Sequence, residues 1–425
     1  MKLTTDILIV GTGVSGLIAA INLCEDKKVT LVTKAKLRES DSFLAQGGIC
    51  VLQDKSDYDD YYEDTMRAGH YENNPESVKT MILSSKELID ELIGYGVEFE
   101  TKDGKLCYTR EGAHSKPRIL YHEDITGEEI TSKLIKVAKT KENITIYEEL
   151  SITDIIEKDR ECIGAVGIYQ GEKCSIDADY TILATGGIGG LYKHSTNFPH
   201  LCGDSIAICK KHGIELENPH YIQIHPTTLY TNKKGRSFLI SESVRGEGAI
   251  LLDKNKNRFT NELEPRDVVT KAIYAQMEKD NTPYVWMSFE NVEKDMILSH
   301  FPHIYEKCKE EGYDITKECI PVVPAQHYHM GGVKIDLDGK TTMPRLYCAG
   351  EAACNGVHGR NRLASNSLLE SMVFAKRAAG DILSMYSVPQ KATQMDIENC
   401  SFTFDGYADT VRGVIKEYER NDVNG

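Results

Sequence analysis

The stretch "DILIVGTGVSGLIAAINLCEDKKVTLVTK", residues 6 to 34, decides the fold. A short apolar run leads into three spaced glycines, then a helix-like run, then a second β-like run. That is a βαβ unit at the start of the chain. Gly11 permits the tight turn, Gly13 lets backbone approach a pyrophosphate, and Gly16 lets helix and strand pack closely. The helix N-terminus beyond them offers free N–H groups and a partial positive charge to phosphates. A plain NAD site would end the second strand near an acid that holds the ribose, but here Thr33 and Lys34 stand there.

Working outward, 425 residues predict two domains. Hydrophobic residues make up 40% and charged ones 27%, the balance of a soluble globular protein. A net charge of −15 argues against nucleic acid or an anionic membrane as partner. An anionic substrate therefore needs a locally built basic pocket. No apolar run reaches about 18 residues, so no membrane span is expected. The first apolar run flows straight into glycines, unlike a signal peptide. The twelve Cys are scattered singly with no C-x-x-C, which fits a reducing cytosol. His327 and His329 lack nearby Cys or carboxylate partners in sequence, and no metal site is expected.

Further along, "PESVKTMILSSKELIDELIGYGV" places Val78, Met81, Ile82, Ile89, Leu92 and Ile93 at helical spacing before Gly94. "TGEEITSKLIKVA" starts with Thr126 and Glu129 in a capping-box pattern. Short β-like runs between 144 and 184 predict a small antiparallel piece returning to the main sheet. "TILATGG" and "RLYCAGE" read as buried strands ending on glycines. The segment 219–328 is richer in turns, His and Arg, as an inserted domain would be. The polar end, "ERNDVNG", is expected to fray.

Five stretches combine glycines with reactive or charged groups: "SDSFLAQGGIC", "TREGAHS", "QIHPTTLY" with "LISESVRGEGA", "ELEPRDVV", and "PAQHYHMGG" with "HGRNRLASNSLLE". Each alone has a plain structural reading. His225 could pack in a core, Glu242 and Arg245 could pair at (i, i+3), Arg360 and Arg362 could be solvated, and Arg266 could bridge Asp267 or Glu264. Together and in this order, up to about residue 385, they resemble the flavoproteins of the succinate dehydrogenase, fumarate reductase and L-aspartate oxidase superfamily.

The resemblance implies an α/β fold: a Rossmann-like FAD-binding domain with an inserted α+β capping domain. The boundaries expected are 1–218 and 329–390 for the FAD-binding domain, 219–328 for the cap, and 391–425 for a short tail. Relatives often carry a full helical C-terminal domain, which is expected to be absent here. Thr33 and Lys34 suit the family's Ser/Thr-Lys pair. FAD is implied along Gly11, Gly13, Ser15, Gly16, Ser42, Gln46, Gly47, Gly48, Ala184, Thr185 and Gly186, with Asp204 and Glu351 on its hydroxyls. Ser365, Ser367 and Leu368 fall where a helix opens at Ser365 towards the flavin's pyrimidine edge, a position that stabilises reduced flavin. Members that tether FAD do so through a His at the position of Asp41, so FAD is expected to be non-covalent.

Glu111 stands where the dicarboxylate dehydrogenases carry an aromatic, which implies the aspartate-oxidising branch. An anion there would repel a plain diacid by about a few kcal/mol if poorly solvated; an amine on the substrate reverses that. The resemblance implies that Arg362 and His327 hold one carboxylate, while His225, Ser241 and the backbone near Glu242 hold the other. Glu111 then orients the ammonium or takes its proton. Arg266 steadies substrate and transition state or transfers a proton, with Asp267 and Glu264 as orienting partners. Hydride would pass from Cα to flavin N5, giving iminoaspartate. Dioxygen (yielding hydrogen peroxide) or fumarate would reoxidise the flavin. Quinolinate synthase is the implied metabolic partner, in NAD biosynthesis. Two other readings stay open: a soluble fumarate reductase or succinate-oxidising enzyme, indifferent to Glu111→Gln, and a catalytically silent FAD-binding module.

Overall fold

In the computed structural model every residue is described except Lys234 and Gly425, and the side chains of Val423 and Asn424. The opening βαβ unit forms as β1 (Lys2–Val10), α1 (Val14–Leu23) and β2 (Val29–Thr33). The helices that follow include α2 (Pro75–Gly94) and α3 (Thr126–Thr140). The chain then returns to the sheet as β3 (Ile144–Glu148), β4 (Leu150–Lys158), β5 (Glu161–Tyr169) and β6 (Glu172–Leu183). The order is β3-β2-β1-β6-β5-β4. β1 runs parallel to both β2 and β6, with Ile9 opposite Leu31 and Ile182. Of the runs expected to be antiparallel, β4, β5 and β6 are. β3 instead lies parallel to β2, because α3 carries the chain back across the sheet.

Successive side chains of β1 face opposite sides, and both sides are covered. Ile7 and Ile9 meet α1, α2 and α3, while Leu8 and Val10 join Ile155, Cys174 and Leu183 on the other face. Within α2, Val78, Met81, Ile82, Ile89 and Leu92 are buried, but Ile93 is exposed and Gly94 still belongs to the helix. Ile93 sits one residue past the buried stripe, and a step of one on a helix turns about 100° away from it. α3 has no capping box: Thr126 Oγ1 accepts from the His122 N–H, and Glu129 accepts from the Glu98 N–H. Tertiary partners took both groups.

After α4 (Asp204–Lys211) the chain builds a second body around an antiparallel sheet. It contains β7 (Ile222–Leu229), α5 (Glu242–Gly246), β8 (Ile250–Leu252), α6 (Arg266–Asp280), β9 (Val285–Ser288), α7 (Pro302–Glu310) and β10 (Ile320–His329). Its strand order is β7-β10-β9-β8, and its core is separate, with Val244, Leu251, Val269, Ile273 and Met287 at the centre. The chain re-enters the first sheet as β11 (Leu346–Cys348), parallel to β6, and continues into α8 (Ser367–Ser384) against α1.

The polar end expected to fray, residues 419–425, continues a helix as far as Asn424, and Gly425 lies outside the described residues. α9 (Tyr407–Asn424) packs Val411, Val414 and Ile415 against Ile188, Ile206 and Ala207. Asp422 pairs with Arg360 and His220. The apolar residues of this helix are few, but α4 presents them a matching apolar face.

Candidate active site

The carboxyl ends of β1, β2 and β6 open onto a cavity of about 1510 Å³, measured out to solvent, whose far wall comes from the second body. Every site residue expected from the sequence lines this cavity except Gly16. Gly16 lies behind it: a Cβ there would stand 1.9 Å from the Gly11 carbonyl oxygen, so its role is packing.

The β1 end of the cavity suits a dinucleotide. Gly11 has φ +121°, and a Cβ on it would sit 1.9 Å from the Ala184 carbonyl oxygen. α1 starts at Val14 after an N-cap, Gly13, that has no side chain to cap it, and its first turn carries no acid, leaving its positive end towards the cavity. Lys34 reaches Asp204 at 2.6 Å, and Ser42 Oγ accepts from the Val14 N–H. Thr185 Oγ1 lies 2.6 Å from Ser205 Oγ. The buried Gln46 Oε1 has no hydrogen-bond partner in the protein. Glu351 accepts from the His329 N–H, and burial with Asp41 nearby holds its carboxyl well above the usual range. Asp41 accepts from the Phe198 N–H and from Asn197, and burial pushes its pKa up to about 7. α8 begins at Ser367 rather than Ser365, which adopts a left-handed φ of 61° just before it.

The other end is crowded with charge. Arg266 is 6% exposed, which removes the surface-cation reading. Its Nε donates to Glu242 at 2.5 Å and its NH1 to Gln223 Oε1 at 2.8 Å. The orienting partners are therefore Glu242 and Gln223. Asp267 faces His70, and Glu264, two residues before α6, accepts from Asn261. Glu242 also lies 3.6 Å from Arg245. Arg362 donates to Gln223 Oε1 at 3.3 Å, to Ser367 and to His327 Nε2 at 3.1 Å. Burial and Arg266 lower its pKa to about 10, so it stays charged near neutrality. A guanidinium only donates, so His327 Nε2 accepts and its proton sits on Nδ1, 2.8 Å from Thr196 Oγ1.

His225 and His327 meet edge to face at 5.1 Å. Burial, with Arg266 second, holds both far below the ordinary histidine value, so both are neutral. His225 Nε2 is buried and unpaired, a polar atom aimed at the cavity with nothing in the protein to bind. Across from these groups Glu111 accepts from Ser243 Oγ at 2.7 Å and from Ser365 Oγ at 2.6 Å. Burial first, and Glu242 second, raise its pKa. Arg360 is half exposed and outside the cavity. His329 turns to the Pro219 carbonyl and does not line the cavity that His327 lines, so the two do not converge.

Residues 6–368 match the family described as "FAD binding domain". The L-aspartate oxidase of Clostridium perfringens is 49% identical over 385 residues, which is 90% of this chain and 88% of that one. The chain belongs to the L-aspartate oxidase family. The L-aspartate oxidase of Clostridium acetobutylicum is also 49% identical, over 90% of this chain and 88% of its own. Among solved structures an E. coli quinol fumarate reductase superposes with a TM-score of 0.87 at 28% identity, covering 98% of this chain and 75% of that one.

FAD is the cofactor of this L-aspartate oxidase family member, and the residues present fit it: an uncapped helix end, a glycine cradle with no room for a Cβ, and an unpaired buried amide oxygen. No helix among the described residues is long and apolar enough to cross a membrane. Sequence reasoning missed Gln223, which ties Arg266 to Arg362 through one oxygen. It also missed Ser243, Thr196 and Asn197. Gln223 could have been found, since it lies two residues before His225 on a strand. Thr196 and Asn197 carry no such signal.

Proposed function

We propose that this protein oxidises L-aspartate to iminoaspartate with non-covalently held FAD, the first step of de novo NAD (quinolinate) biosynthesis, in the cytoplasm. Dioxygen, giving hydrogen peroxide, or fumarate reoxidises the cofactor, and quinolinate synthase consumes the product. The division into FAD-binding parts 1–218 and 329–390 and a cap at 219–328 belongs to the same reading. The observation that carries it is Glu111: a buried carboxylate facing Arg266, Arg362, His225 and His327 across one cavity. Two cations and the unpaired His225 Nε2 suit a dianion, and the carboxylate opposite them suits a dianion that also bears an amine.

Gly11, Gly13, Ser15, Thr33, Lys34, Ser42, Gln46, Gly47, Gly48, Ala184, Thr185, Gly186, Asp204, Glu351, Ser365, Ser367 and Leu368 would hold the cofactor. FAD, when bound, supplies the two-electron acceptor for the Cα–H bond. Arg362 takes one substrate carboxylate, held in place by Gln223 and by His327, whose neutral ring accepts from it at Nε2 and so positions it rather than binding the carboxylate itself. His225 Nε2 and Ser241 take the other, for which His225 carries its proton on Nε2 and accepts from the Thr227 N–H at Nδ1 (3.2 Å). Glu111 holds the ammonium and accepts its proton as the Cα–H bond breaks. Its raised pKa makes it a better base than an ordinary carboxylate. Arg266, anchored on Glu242, steadies the charge that moves at Cα.

The test is anaerobic mixing of the purified protein with L-aspartate while the flavin absorbance is followed. Rapid bleaching is expected. Bleaching by succinate and none by L-aspartate would sink the assignment in favour of a succinate-oxidising enzyme. No bleaching by either would leave an FAD-binding module.

A further inference from the structure

We propose that Ser243 is a positioning residue for amine recognition, whose hydroxyl, carried by α5, pins Glu111 jointly with Ser365. The inference rests on the reading of Glu111 given above and extends it to a residue outside the expected site.

Glu111 is 4% exposed, so its two oxygens depend on protein donors. Oε1 receives the Ser243 hydroxyl at 2.7 Å and Oε2 the Ser365 hydroxyl at 2.6 Å. Each hydroxyl has one proton and spends it here. Ser365 Oγ is aimed by the Gly48 N–H, which donates to it at 3.2 Å, and Ser243 Oγ stands 3.1 Å from Ser241 Oγ, at the start of the same helix.

The two hydroxyls come from different bodies. Ser243 precedes Val244, a member of the second body's core, and Ser365 stands three residues before Leu368, in the core of the first. Glu111 is thus held across the joint between them, and its rotamer is complete only when both faces are in place. The space around it leaves little alternative. A Cβ on Gly47 would come within 2.8 Å of Glu111 Oε1, and one on Gly246 within 3.0 Å of the Arg110 carbonyl oxygen.

The charged and titratable groups facing Glu111 are Glu242 and Arg245 from α5, Arg266 from α6, Arg362 from the loop before α8, and Cys50 beside Gly48. His114, on the same loop as Glu111, donates its backbone N–H to the Glu111 carbonyl oxygen. Glu242 favours the protonated acid and Arg266 the anion, and both serine hydroxyls favour the anion. Removing the Ser243 hydroxyl therefore loosens the carboxylate and makes it easier to protonate. A diacid without an amine gains nothing from Glu111 and loses no affinity with the hydroxyl.

The experiment compares Ser243→Ala and Ser243→Thr with the wild-type FAD-loaded protein. Two quantities are read: the pH profile of kcat/KM for L-aspartate, and the dissociation constant of succinate from its perturbation of the flavin spectrum. We expect Ser243→Ala to lower kcat/KM for L-aspartate about tenfold, the worth of one hydrogen bond to a charged group. Its acid limb should move to higher pH, while succinate binding is not weakened, and Ser243→Thr should restore both aspartate readouts. Equal losses for L-aspartate and succinate would show a merely structural role and overturn the assignment, as would an unmoved acid limb. A wild-type protein that L-aspartate does not reduce sinks the functional reading and this one together, which separates that failure from failure at Ser243 alone.

Discussion

Arg266 is held by two acceptors that lie far from it in sequence, Glu242 on α5 and Gln223 on β7. A fork of fixed N–H directions can serve both while still facing the cavity, and a lysine ammonium keeps the charge without the fork. Arg266→Lys is therefore expected to lower turnover about 100-fold while the flavin absorbance spectrum stays as in the wild type; unchanged steady-state turnover would reduce Arg266 to a buried structural cation. Glu111 carries the pH dependence. Burial and Glu242 raise its pKa, so on the acid side its protonated form is populated at a higher pH than for an ordinary carboxylate. The amine needs the anion and a vacant proton site. Hence kcat/KM for L-aspartate falls as pH drops through that raised value and holds above it. Glu111→Gln should lose about tenfold or more at neutral pH, and its profile should lack that acid limb. A variant that keeps the wild-type profile would remove Glu111 from amine recognition.

At the scale of elements, the pattern that opens the chain was read correctly because each part has a local cause: an apolar run, a turn only glycine can make, a helix whose first turn is free of acids. The capping box at Thr126 and Glu129 failed for the opposite reason. Both side chains had a choice of partner, and segments brought near by folding supplied better ones, the backbone N–H groups of His122 and Glu98. The tail shows the same competition. Val411, Val414 and Ile415 have helical spacing, but so short a stripe on a polar segment holds only if an apolar face awaits it, and α4 with Ile188 provides one. Val411→Ala is expected to cost about 2 kcal/mol of stability, as a buried truncation does. Denaturant unfolding should show this as a lower midpoint at unchanged slope; an unshifted midpoint would mean that α9 is not part of the cooperative unit.

For the whole molecule, two cores and one cavity between them set what the cofactor and substrate meet. Asp41, the position at which tethering relatives carry a His, is engaged here with Asn197 and Phe198. Acid precipitation of the loaded protein is accordingly expected to leave FAD in the supernatant, and yellow colour retained in the pellet would overturn non-covalent binding. The sequence by itself determined the βαβ entry, the family motifs and which residues carry charge or hydroxyls, since these rest on local sterics and on chemistry that each side chain brings with it. Only the tertiary structure decided who partners whom. Glu242 displaced Asp267 and Glu264 as the anchor of Arg266, Gln223 became the link to Arg362, and Ser243 reached Glu111 from 132 positions away. The physical reason is burial: once these groups leave water, each must be satisfied by whatever donor or acceptor lies nearest in space, and that neighbour is fixed by how the two bodies dock, not by sequence spacing.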